Sequence, residues 1–380
     1  MRTQTRRIFL LAAGVVAGVC CCAPRSSAAD HANNAAPAWL DQVTLNGFVA
    51  TSYSYNFNRP ASGLNQFRVF DFDDNTFKLD EFELVAQKTA VRPRDSGFRV
   101  DLTLGSSVPR VTAAAGLFRD ESGVAADIDL HQAFASYIAP LGAGLRFDVG
   151  KFITAAGYEV IDGYDGWNDN ATRSILFGYA IPFTHVGVRT GYTFSPQVTA
   201  TFMVVNGWDL ARDNNRSKTL GGSLTLTPRP RLTIIATGFA GPERSGDDSH
   251  SRNLLDLVTI VKPTDRLTLG ANLDWAMEDD AVGSNHDGRW SGAAGYARVT
   301  FPGNFALSLR GEFFDDPDGL RTGVSQKLHE FTVTTEARLT PHFLLRGDVR
   351  VDQSNVTLFE SSGALRKTQP TAMVEAIYSF

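Results

Sequence analysis

From about residue 40 onward, apolar residues recur at every second position. Leu267, Leu269, Ala271, Leu273 and Trp275 share one face, and Thr268, Gly270, Asn272 and Asp274 share the other. Residues 343–351 and 305–310 alternate in the same way. A period of two is the signature of half-buried strands, not of helices. Read on that period, the chain predicts sixteen strands, at roughly 44–57, 77–88, 98–104, 127–139, 145–154, 184–194, 197–206, 218–227, 232–241, 251–261, 267–278, 290–301, 305–315, 328–339, 343–352 and 369–380. The segments 77–88 and 127–139 switch parity midway, which predicts a β-bulge in each.

The connections alternate too. Seven are short and carry proline or a Gly-rich turn: 89–97, 140–144, 195–196, 227–231, 262–266, 302–304 and 340–342. Eight longer ones, rich in Asp, Gly and Asn, lie between them: 58–76, 105–126, 155–183, 207–217, 242–250, 279–289, 316–327 and 353–368. A soluble sandwich has no reason to gather its long loops at one end. A transmembrane up-and-down barrel does, with short periplasmic turns and long extracellular loops. Strands crossing lipid must close, because an open edge leaves backbone groups unpaired in hydrocarbon. The reading is therefore an all-β, antiparallel barrel over 44–380.

This parity turns charges inward: Arg99, Arg146, Arg189, Arg310, Arg338, Arg346 and Arg350, with Asp101, Asp148, Asp256, Asp274, Glu312, Glu336, Asp348 and Glu375. A base facing lipid at the midplane would cost ~2–4 kcal/mol. Most of these read as solvated groups in a water-filled lumen, which sixteen strands are wide enough to leave. Trp39, Tyr53, Tyr55, Trp208, Trp275, Trp290, Phe301, Phe343 and Tyr378 fall near strand ends, where interfacial girdles belong.

Residues 1–29 read as an export signal. Arg2, Arg6 and Arg7 precede an apolar run from Ile8 to Cys20, and Ser27-Ala28-Ala29 forms a small-residue cleavage site. Arg6-Arg7 also fits a twin-arginine signal. Residues 30–43 then form a periplasmic segment. All three cysteines lie in the signal, so the exported chain carries no disulfide. Loss of the four arginines of this segment takes the formal charge from −5 to −9. No basic footprint points to nucleic acid.

The third long loop, 155–183, is the longest. Its Glu159, Asp162, Asp165, Asp169 and Arg173, set against wall residues Arg99, Arg146 and Arg189, are the candidate constriction. Opposed charges across a narrow throat would set selectivity. Neutralising Asp162, Asp165 and Asp169 is expected to favour anions. On the last strand, Ala372, Val374, Ala376, Tyr378 and Phe380 share a face, and a terminal aromatic resembles the signal read by barrel-assembly machinery. Asp71, Asp73, Asp74 and Asn75, or Asp315, Asp316 and Asp318, offer oxygens to a divalent cation at a lipopolysaccharide surface, although solvated loops are the plainer reading. No G-x-S-x-G, H-E-x-x-H or C-x-x-C occurs, so neither catalytic residues nor a cofactor are expected.

Particular residues resemble the OmpL-like family of Gram-negative β-barrel porins. One block runs from Leu45, Asn46, Gly47, Phe48 and Val49 through Tyr53–Pro60 to Asn65–Asp71 and Leu79–Leu84. A second runs from Val149–Phe152 through Gly157–Ile161, Asn168 and Arg173-Ser174 to Pro182–Gly187. The resemblance implies an outer-membrane pore for passive diffusion of small hydrophilic solutes or ions, with a homotrimer among its possible assemblies. A barrel with adhesin or enzymatic work on its rim, or a soluble secreted β protein, are the alternatives.

Overall fold

In a computed structural model that describes residues 39–109, 111 and 125–380, each alternating segment pairs antiparallel with its sequence neighbours. The strands are β1 (Thr44–Asn56), β2 (Thr76–Lys88), β3 (Ser96–Leu104), β4 (Ile128–Ala139), β5 (Leu145–Ile153), β6 (Thr184–Ser195), β7 (Val198–Val205), β8 (Thr219–Arg229) and β9 (Leu232–Pro242). They continue as β10 (Ser251–Val261), β11 (Leu267–Gly283), β12 (His286–Phe301), β13 (Phe305–Asp316), β14 (Gln326–Arg338) and β15 (Phe343–Ser354). After a small hairpin, β16 (Phe359–Ser361) and β17 (Ala364–Arg366), the chain returns as β18 (Thr368–Ser379). β18 pairs with both β15 and β1, closing sixteen strands into a barrel. Separately, Trp39–Gln42 form a short 3-10 turn. The proposed signal, residues 1–29, lies outside the described residues.

Both predicted bulges are present. Ala50 pairs with Glu81 and Thr51 with Leu79, leaving Asp80 as the extra residue of β2. Asp101 pairs with Gln132 and Leu102 with Leu130, leaving His131 as the extra residue of β4.

One connection differs from its expected form. Residues 279–289 are not a long loop: β11 and β12 continue until only Ser284 and Asn285 remain, with Asn285 at φ 63°. Once past lipid both faces of a strand pair are wet, so backbone pairing proceeds without apolar alternation. The last long connection holds the β16–β17 hairpin, whose turn residues Ser362 and Gly363 both have positive φ, as a tight hairpin requires.

The outer face is an apolar belt that includes Phe77, Phe202, Leu273, Trp275, Phe331 and Val349, all exposed. Trp208 and Trp290 correct the girdle expectation. Both are buried, 6.0 Å apart edge to face, in a cluster inside the barrel. The periodic pattern did not reveal which aromatics beside the loops turn inward.

The lumen is not open across its whole width. Ile175, Leu176, Phe177, Ile181 and Phe183 pack against Phe152, Met203, Phe239, Trp290 and Phe314 of the wall. Most of this material comes from the third loop, here called L3.

Candidate functional site

L3 is anchored at its base, where Thr154 N donates to Phe183 O at 2.9 Å. Its descending arm follows β9–β11: Thr237 Oγ1 donates to Ala155 O at 3.2 Å, and Tyr158 N to Asn272 Oδ1 at 2.8 Å. The Tyr158 ring stacks on Tyr296 at 4.0 Å and lies over Gly270, where a Cβ would come within 2.4 Å of it. Glycine at 270 is therefore a steric requirement of this placement.

At the tip, Gly163 and Gly166 exchange backbone hydrogen bonds. Tyr164 N donates to Glu83 Oε2 at 2.9 Å, Asp165 meets Arg99 at 2.7 Å, and Trp167 packs edge-on against Phe48. The returning arm is gripped by β13–β15. Arg346 Nη1 donates to Asn168 O at 2.8 Å, Asn170 Nδ2 to Thr334 Oγ1 at 2.6 Å, and Thr172 N to Asp348 Oδ2 at 2.8 Å. Arg350 donates to Arg173 O. A one-turn helix, α1 (Ile175–Tyr179), follows. Ser174 caps it by accepting from Phe177 N, and the Glu312 carboxylate accepts from Ile175 N and Leu176 N at 2.7 and 2.9 Å. These satisfy amides that a helix start leaves without intrahelical partners.

The sequence-expected site residues divide into two groups. Arg99, Arg146, Arg189 and Asp165 line one chamber of about 320 Å³, together with Lys88, Gln132, Phe134 and Ser136. It runs from Lys88 and Thr89 at the short-turn end to Ile153 at the base of L3. Arg146 Nε and Arg189 Nη2 reach opposite oxygens of Asp148 at 2.8 and 2.9 Å. Arg189 also lies over the Phe152 ring at 4.6 Å. Two guanidinium groups thus share one carboxylate.

Glu159, Asp162, Asp169 and Arg173 lie elsewhere and face other partners. Glu159 meets Arg310 at 2.7 Å and accepts from Ser174 N and Oγ. Asp162 pairs with Arg173 at 2.6 Å and approaches Arg346 at 3.6 Å. Asp169 accepts from Tyr158 Oη at 2.9 Å and sits 3.7 Å from Arg298. Of the L3 acids, only Asp165 faces one of the three expected wall arginines.

The reading of most inward charges as solvated needs correction. Arg310, Arg346 and Arg350 are buried, pairing with Glu330, Glu375 and Asp352 at 2.9, 2.6 and 2.7 Å and gripping L3 carbonyls. Sequence reasoning found their direction but not their role. The available signal was the recurrence of Arg and Glu or Asp on adjacent inward faces of β13, β14, β15 and β18.

Tyr378 is exposed on the outer face, and Phe380 exchanges backbone hydrogen bonds with Gly47 at 2.9 and 3.0 Å. The loop acids have protein partners: Asp71 pairs with Arg68, Asp73 with Lys78, and Asp315 with Lys327. Asp74 accepts from Asn56 N, Asn75 from Tyr53 Oη, Asp316 from the amides of Leu320, Arg321 and Thr322, and Asp318 from Arg289 N. Among the described residues no set of three metal-ligating side chains converges.

A closed sixteen-stranded antiparallel barrel, apolar outside and charged inside, is the architecture of an outer-membrane porin. The anion-selective porin from Comamonas acidovorans shares it with a TM-score of 0.59 at 13% identity, over 89% of this chain and 99% of that one. The outer membrane channel DcaP of Acinetobacter baumannii gives 0.61 at 12%, over 89% and 97%. Pseudomonas putida OprB gives 0.60 at 12%, over 90% and 95%. At such identities the likeness is one of fold. Residues 42–380 match the family described as "Putative beta-barrel porin-2, OmpL-like", and the chain belongs to that family. No curated protein sequence matches it. The protein is an outer-membrane porin, and its channel serves solutes.

Proposed function

We propose that small hydrophilic solutes or ions diffuse passively between L3 and the wall formed by β3–β6, and that anions are preferred. The observation that carries this is the 320 Å³ chamber, in which Arg146 and Arg189 share the single carboxylate of Asp148. An excess positive charge in a low-dielectric passage attracts anions more strongly than it would on an open surface. L3 is the narrowing element, and Asp165 sets an acid against Arg99 at its tip. The test is the reversal potential of the purified protein in a planar bilayer under a salt gradient. The parent is expected on the anion side, and R146Q/R189Q shifts toward cations. An unchanged reversal potential in that variant refutes the route.

Export with cleavage after Ala29 completes the picture, and the membrane-extracted protein should begin at Asp30. Assembly through the terminal Tyr378 and Phe380 predicts less surface protein when Phe380 is deleted. Vibrio cholerae OmpT, which matches with a TM-score of 0.57 at 12% identity over 89% of this chain and 99% of that one, is described in a trimer form. A homotrimer embedded in lipid and lipopolysaccharide is the assembly proposed for this chain, and native mass spectrometry in detergent checks it.

A further inference from the structure

Asp256 on β10 and Asp274 on β11 are direct cross-strand partners, both turned into the lumen and almost wholly buried. Their carboxyl groups therefore stand side by side on the inner face of the strand pair. Asn272 Nδ2 donates to Asp256 Oδ2 at 2.7 Å. Asp256 Oδ1 and both oxygens of Asp274 have no donor among the described residues.

Among the described residues no basic side chain forms an ion pair with either aspartate. β9 presents Thr237 beside Asp256, and β12 presents Gly292 beside Asp274. The inward basic groups of the neighbouring strands are engaged by other acids: Arg252 by Glu278, and Arg298 by Glu336 and Asp169. On the overlying loop Glu159 is held by Arg310, and Tyr158 Oη donates to Asp169. Two ionised carboxylates in such contact repel, and like charges directly opposite across strands destabilise a sheet. One proton shared between the two groups turns the repulsion into a hydrogen bond.

The pair also supports the descending arm of L3. Thr237, the partner of Asp256 on β9, donates through Oγ1 to Ala155 O at 3.2 Å. Tyr158 N reaches Asn272, whose amide is held by the same aspartate. We propose that Asp256 and Asp274 hold one proton between them, and that this proton latches the arm Ala155–Tyr158 against β9–β11. Its loss places a second negative charge in the contact, spreads the pair and frees the arm. The latched arm stands off β3–β6, so the route is open in acid and narrowed by the freed arm in alkali. The inference rests on the reading of the chain as a channel narrowed by L3.

The test records single-channel conductance of the full chain, purified in detergent, from about pH 5 to about pH 9, a span that brackets a carboxyl pair with a retained proton. D274N and D256N/D274N are recorded beside the parent, with unheated gel migration of each verifying a closed barrel. The parent's conductance should fall as pH rises, and both variants should lose that slope and stay at the parent's acid-side value. A flat parent, or variants that keep the parent's slope, overturns the latch and leaves the channel reading intact. A parent that conducts at no pH overturns the channel reading and the latch with it. A parental slope that disappears when a chelator is added means that a divalent cation occupies the pair, and this too overturns the latch.

Discussion

Two walls of this barrel use the same residues for opposite ends. On β13–β15 and β18, the side chains of Arg310, Arg346 and Arg350 are 0%, 0% and 1% exposed, each against a carboxylate and a backbone carbonyl of L3. On β3, β5 and β6, those of Arg99, Arg146 and Arg189 are 17%, 36% and 22% exposed and border a chamber. All six are arginines on inward faces of alternating strands. What separates them is where L3 lies. It fills the space before the first wall, so guanidinium groups there become fasteners for a loop. It leaves the second wall open, so guanidinium groups there are available to a solute.

The comparison breaks most visibly if L3 is removed. Replacing 155–183 with a short linker should raise single-channel conductance severalfold, because both walls then face water. Conductance equal to the parent's would mean that L3 does not limit flow.

A paired substitution comes next. Arg310→Met takes from buried Glu159 its arginine and leaves buried Glu330 only Arg350 at 3.7 Å, a loss of ~3–5 kcal/mol by the usual cost of breaking a buried pair. Arg146→Met, at a partly open site, should cost under about 1 kcal/mol. The temperature at which each unheated barrel converts to the slower, unfolded gel form measures this. Equal losses would erase the distinction between the walls.

The L3 acids sharpen it further. Asp165→Asn touches only the chamber side and should move the reversal potential toward anions with little change in stability. Asp162→Asn weakens contacts with Arg173 and Arg346 and should lower stability by ~1–3 kcal/mol with little change in selectivity. Swapped outcomes would reverse the division of the loop.

The smallest effect lies at the extracellular rim. His250 sits between Asp247 at 2.5 Å and Asp280 at 3.2 Å, and its hydrogen bond to Asp247 raises its pKa above the ordinary imidazole value. A raised pKa in the folded state means that this contact contributes fully below the ordinary value and is lost as pH rises through the raised one. An NMR titration of the His250 ring should show the elevated midpoint, and D247N should bring it down. Neither wall should respond, since the contact lies outside the lumen.

Much of the architecture was legible without coordinates. Period-two alternation determined strand number, the inward and outward faces, and the bulges at Asp80 and His131, because lipid on one side permits only one parity. The alternation of short and long connections separated the two ends of the barrel. The β11–β12 connection was misread as a loop because pairing beyond the bilayer has no apolar pattern to betray it.

The site was legible as a set of residue types but not as a set of contacts. Sequence placed Glu159, Asp162, Asp165, Asp169 and Arg173 on one loop and Arg99, Arg146 and Arg189 on one region of wall. Only the tertiary structure decided that Arg99 alone meets one of those acids, and that Arg310, Arg346 and Arg298 meet the others. A strand's period follows from its two environments, which composition records residue by residue. The path of a 29-residue loop follows from which of many similar charges it meets across the lumen, over separations of up to 178 residues, and no local pattern encodes that choice.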